Sequence, residues 1–69
     1  MRLPRIRPQR AVQLLGQHGF RLVRSSGSHR IYRDALGRRY VLPFHSREDL
    51  SPKAVKELVE LLGLTAADL

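Results

Sequence analysis

The 69-residue sequence has no cysteine and no tryptophan, only two tyrosines and two phenylalanines, and no long apolar run. Without cysteine there is neither a disulfide framework nor a thiolate zinc site, which fits a reducing compartment, and we expect the cytoplasm. The opening stretch, Met1 to Pro8, is basic, but no apolar h-region follows it. Neither a secretory signal nor a membrane span is therefore expected. The length allows one domain, residues 1–69, which buries only about 60% of the surface its unfolded chain exposes. Acidic residues are also scarce, and unevenly so. Residues 1–47 carry 11 Arg against the single acid Asp34, a balance of +10, whereas residues 48–69 carry −3, giving the net +7. The excess is almost all arginine, whose planar fork matches phosphate oxygens bidentately. A basic segment of this kind calls for a polyanionic partner, although composition alone does not separate RNA, DNA and an acidic protein.

The pattern along the chain predicts a helix, three strands and a helix. Residues 1–7 read as a loose basic arm. Ala11, Leu14, Leu15 and His18 stand at i, i+3, i+4 and i+7, the stripe of an amphipathic helix. Pro8 suits its first turn, and Gly19 its left-handed cap, with Phe20 free to fold back onto Leu15. The spacing predicts this helix over 8–18. Phe20 to Arg24, His29 to Arg33 and Arg38 to Pro43 have strand character. Ser25-Ser26-Gly27-Ser28 reads as a type II turn with glycine third, and Asp34-Ala35-Leu36-Gly37 as a type I turn. Pro43 lacks a donor and ends the third strand. Ser51-Pro52 is an N-cap followed by proline at the first helical position. Val55, Leu58, Val59 and Leu62 then repeat the helical stripe up to Gly63, and Thr65 and Asp68 are spaced like a capping box. Two amphipathic helices need an apolar surface, and one sheet face supplies it. The fold class expected is α+β, a helix–three-stranded antiparallel sheet–helix sandwich of two layers with its other sheet face uncovered.

His29 opens the second strand directly after the serine- and glycine-rich turn, among arginines. Turn amides and hydroxyls can hold a phosphate, and an imidazole exchanges protons near neutral pH. RNA carries its own nucleophile, the 2′-OH. A base to deprotonate it and cations to stabilise the developing phosphorane charge then suffice for cleavage. Spacing alone leaves a structural histidine open beside a catalytic one. The candidate phosphate contacts are Arg24, Ser28, Arg30, Arg33 and Arg39. Strand alternation puts His29 with Ile31 on one face and Arg30 with Tyr32 on the other; which face meets the helices is not readable.

Gly19-Phe20-Arg21-Leu22-Val23-Arg24, followed by Gly27-Ser28-His29-Arg30-Ile31-Tyr32, resembles the core signature of HicA-type mRNA interferases, the YcfA-like group. Pro43-Phe44-His45, Asp49-Leu50-Ser51-Pro52 and the closing Gly-Leu-Thr resemble that family's further landmarks, in the same order. The likeness runs from about residue 8 to the end. It implies a fold like the double-stranded RNA-binding domain, ribosome-independent cleavage of mRNA, neutralisation by an acidic HicB-like antitoxin, and His29 as catalytic residue, with no cofactor. Lys53-Ala54 departs from the Gly-Thr or Gly-Ser frequent in the family, a difference that falls in the second helix.

The remaining candidates are weaker. His18 reads as a helix C-terminal residue favoured by the dipole. His45 reads as an RNA-positioning, antitoxin-pairing or loop-capping residue, with the three open. A metal held by His29, His45 and nearby acids matches no known ligand spacing, and the surrounding arginines would repel a cation, so no metal is expected. Phe20, Tyr32, Tyr40 and Phe44 read as packing rather than base-stacking residues. The second reading is a non-catalytic RNA-binding module of the same fold. A winged-helix-like DNA binder is disfavoured because the second helix carries Glu57 and Glu60.

Overall fold

Each helix begins at a proline and ends at a glycine, as the sequence predicts. The computed structural model describes residues 4–69. Helix α1 spans Pro8–Gln17 and α2 spans Pro52–Leu62; between them lie strands β1 (Arg21–Ser26), β2 (His29–Arg33) and β3 (Arg39–Pro43), and a short 3₁₀ turn covers Ala66–Asp68. At the end of α1, Gly19 takes φ +83°. The Phe20 N–H donates to the Leu15 carbonyl at 2.9 Å and the Gly19 N–H to the Gly16 carbonyl at 3.1 Å, the two bonds of a Schellman cap. Ser51 caps α2 by accepting from the Ala54 N–H at 3.2 Å. Gly63, at φ +66°, closes it, with the Leu64 N–H donating to the Val59 carbonyl. His18, the last position of the apolar stripe, sits at the C-cap as a helix C-terminal residue, and it is exposed.

The sheet runs in the order β1-β2-β3, antiparallel throughout. The first hairpin turns one residue later than expected. Ser26 pairs with His29, so Gly27 and Ser28 are the whole loop. Gly27 is at φ +58° while Ser28 is not at positive φ, the signature of a type II′ turn, which follows the twist of the flanking strands where a type II turn would splay them. The second turn forms as expected: the Gly37 N–H donates to the Asp34 carbonyl at 3.1 Å. Its aspartate does more. Asp34 Oδ1 accepts from the Leu36 and Arg38 N–H groups, and Oδ2 from Arg38 Nε at 2.7 Å. Desolvation pushes this carboxyl's pKa up, but the Arg38 guanidinium and the backbone donors together outweigh it and hold it below the ordinary range.

The core lies between the helices and one sheet face. Leu14, Leu15, Leu42, Val55 and Leu58 are its most deeply buried large side chains, with Phe20, Tyr32 and Tyr40 beside them. Those three aromatics are therefore packing residues. Tyr40 ties the layers together, its hydroxyl donating to the Ala54 carbonyl at 2.8 Å. Burial pushes its pKa up to about 12 from the usual 10.0, with the Glu57 carboxylate adding to the shift. A raised folded pKa means the native state holds its proton longer than the unfolded chain. Tyr40's contribution is thus complete below pH 10 and is lost as pH rises from 10 through 12. Tyr40→Phe is expected to cost about 1 kcal/mol at neutral pH by removing the hydroxyl's hydrogen bond to the Ala54 carbonyl. It is also expected to flatten the alkaline decline, and urea titrations from pH 8 to 12 check both.

The expected loose arm is not loose where it is described. Ile6 is buried among the core residues, its carbonyl accepts from the Leu50 N–H at 2.7 Å, and Arg7 pairs with Asp49 at 3.0 Å. An apolar residue just before a helix cap packs back against the helix's first turn, which is Ile6's position ahead of Arg7 and Pro8. Residues 1–3 of that arm lie outside the described residues. No helix among the described residues is long and apolar enough to cross a membrane.

Candidate active site on the open sheet face

Pairing across the sheet settles which face His29 occupies. Tyr32 stands opposite Tyr40, and Arg30 opposite Leu42. Both tyrosines and Leu42 are buried, so this set faces the helices. His29 belongs to the alternate set, with Ile31 and Arg33, and points to the uncovered face.

Three cross-strand rows make up that face. Ser26, His29 and Pro43 form the first; Arg24, Ile31 and Val41 the second; Arg21, Arg33 and Arg39 the third. Counted back from the turn, a regular ladder would put Val23 opposite Tyr32 and Leu22 opposite Arg33. A β-bulge between Leu22 and Arg24 changes this. Val23 is left unpaired, Leu22 meets Tyr32, and Arg21 meets Arg33. A bulge is a device for re-aiming side chains, and here it adds Arg21 to the open face.

The face therefore holds Arg21, Arg24, Arg33 and Arg39 around a small apolar centre of Ile31 and Val41, with an exposed His29 at one end. Directly opposed like charges destabilise a sheet, yet Arg21, Arg33 and Arg39 stand in one row. Among the described residues the ion pairs are Arg7–Asp49, Arg38–Asp34 and Lys56–Glu60. None of them draws a carboxylate to these four arginines. An array of uncompensated guanidinium groups is suited to bind an anion with several phosphates or carboxylates.

Of the residues expected at the site, Arg24, Arg33 and Arg39 share the face of His29. Ser28 sits half-buried in the adjoining turn, its carbonyl accepting from the Phe44 N–H at 2.6 Å. Arg30 does not join them. It lies on the helix side, its guanidinium 3.8 Å over the Phe44 ring in a cation–π stack. His45 is exposed in the loop after β3. Together with Glu48, Asp49, Leu50 and Ser51 it lines a shallow hollow of about 230 Å³, and Pro43, the cross-strand partner of His29, forms the shared wall. Sequence reasoning missed Arg21 and Ser26. Ser26 follows from a two-residue turn, whereas Arg21 needs the bulge, which no residue pattern announced.

Comparison with curated proteins gave no match. Residues 9–64 do match a protein-family description, that of the HicA toxin of bacterial toxin–antitoxin systems. That span covers α1 from its second residue, all of α2, all three strands and every residue of the open face, so this chain belongs to the HicA toxin family and is the toxin partner of a toxin–antitoxin pair.

Proposed function

We propose that this toxin is an endoribonuclease that cleaves mRNA without the ribosome, with His29 as general base and then acid. The observation that carries this reading is the placement of an exposed histidine on the same open face as four arginines that have no acidic partner among the described residues. His29 takes the proton of a ribose 2′-OH, and the freed oxygen attacks the adjacent phosphorus. The bond to the 5′ oxygen breaks, and that oxygen receives a proton from the imidazolium or from water. The guanidinium groups balance the charge that builds on the non-bridging oxygens. RNA brings the nucleophile, so this scheme uses no cofactor. Incubating purified toxin with naked mRNA and mapping ends by primer extension tests it; intact RNA at every toxin concentration would sink it.

Arginine contacts to phosphate predict a steep salt dependence. Single-stranded RNA contributes a log–log slope of about −0.7 per neutralised phosphate, so four arginines correspond to roughly −3. Replacing Arg24, Arg33 or Arg39 singly with alanine should flatten the slope by about 0.7. Arg30→Ala should change it far less, because that side chain is stacked on the other face. Titrations of labelled RNA at several salt concentrations, with the inactive His29 variant, give both numbers.

A non-catalytic RNA-binding module is the second reading, since the same basic face would bind RNA without cutting it and fold does not imply function. Binding with the predicted slope but no cleavage would select it.

A further inference from the structure

We propose that the outer edge of β1 is where the antitoxin docks, by adding an extended acidic segment as a fourth strand of the sheet. The inference rests on this chain's membership of a toxin–antitoxin family and not on RNA cleavage. β1 is an edge strand, paired only with β2, and all six of its residues are exposed. An unpaired strand edge is a template for another strand. The two edges of the sheet are not equivalent. On β3 the helix-side residues Tyr40 and Leu42 are buried under α1 and α2, and Pro43 removes one ladder donor. On β1 the helix layer stops short. Leu22 faces the helix side opposite the buried Tyr32, yet it remains 48% exposed, and unpaired Val23 is 55% exposed. The sandwich is unfinished at this corner, and a partner strand would complete both the sheet and the apolar layer over Leu22.

Charge decides the occupant. Arg21 and Arg24 flank the two apolar residues and project to the open face. A second copy of this chain pairing antiparallel about Leu22 and Val23 would set the arginines of one strand against those of the other, which is unfavourable. A strand with acidic side chains on that face and apolar ones over Leu22 matches instead.

The test is amide hydrogen exchange on the toxin alone and in complex with the antitoxin co-expressed from the adjoining reading frame. Exchange across residues 21–26 is expected to slow at least tenfold in the complex. Val23→Asp and Leu22→Asp are each expected to weaken antitoxin binding at least tenfold while the free variants keep their circular dichroism and RNA binding. A complex in which β1 amides exchange as in the free toxin overturns strand addition and leaves the antitoxin elsewhere. Failure of any complex to form overturns the antitoxin assignment along with it. A dimer of the free toxin with protected β1 amides, or protection by RNA but not by antitoxin, would give the edge to a different occupant.

Discussion

His29→Ala is expected to lower RNA cleavage by about 10²- to 10⁴-fold, the usual worth of a positioned general base, while leaving the fold and RNA binding in place. The separation follows from where the residue sits. His29 is exposed, outside the core, at the end of β2. Surface substitutions of that kind usually stay within about 0.5 kcal/mol. For a domain this small, 1 kcal/mol moves Tm by about 4–8 °C, so a shift of no more than about 4 °C is expected. In the proposed reading RNA affinity comes from the arginines of the other two rows, which the substitution does not touch. Primer extension on RNA from induced cells, circular dichroism melting and RNA titration of the purified variant measure the three quantities separately. Equal cleavage by the variant would remove His29 from the mechanism, and an unfolded variant would return it to the structural role that spacing alone left open. His29→Gln, which keeps a polar side chain of similar reach but cannot cycle a proton, should behave as the alanine variant does.

The features legible in the sequence are those set by short-range chemistry. The limits of β2, the Ser51-Pro52 start of α2, both glycine caps and the Asp34 turn depend on neighbours within four or five residues, and all were readable. The features that needed the ladder were not. Which face His29 takes is decided by whether Tyr32 or Ile31 meets the helices, and both are apolar enough to do so. Arg30 adjoins His29 in sequence, which alone suggests it as a phosphate contact. Adjacent residues in a strand face opposite ways, and Arg30 stacks on Phe44 instead. The turn lies one residue later than the sequence suggests because Ser-Ser-Gly-Ser satisfies the residue preferences of two different turns. Arg21 depended on the bulge at Val23, a single unpaired residue. Ile6 carries a usable signal in the sequence, as an apolar residue one position ahead of the α1 cap.

Antitoxin at a free concentration a hundred times its Kd is expected to leave about one toxin in a hundred unbound, and to reduce both RNA binding and cleavage about a hundredfold. Competition of this strength requires that toxin-bound antitoxin and RNA cannot share the molecule, and the dimensions of the sheet argue that they cannot. A specific interface of standard size covers roughly 800 Å² of each partner. The whole accessible surface here is 5004 Å², so such a contact would cover about a sixth of it. Neighbouring strands lie about 4.8 Å apart. An antitoxin strand added outside β1 would thus lie two strand spacings from His29, Ile31 and Arg33, and three from Arg39, distances that a contact of that area spans. Arg21 and Arg24 lie on the anchoring strand itself, and they are also two of the four arginines proposed to contact RNA. The basic face and an acidic partner would further speed association through long-range attraction. The measurement is cleavage and RNA binding by the purified complex against free toxin, titrated with excess antitoxin at fixed salt. A stable complex that binds RNA as the free toxin does would show that the antitoxin leaves this face open. A complex that binds RNA but does not cut it would confine inhibition to the row containing His29.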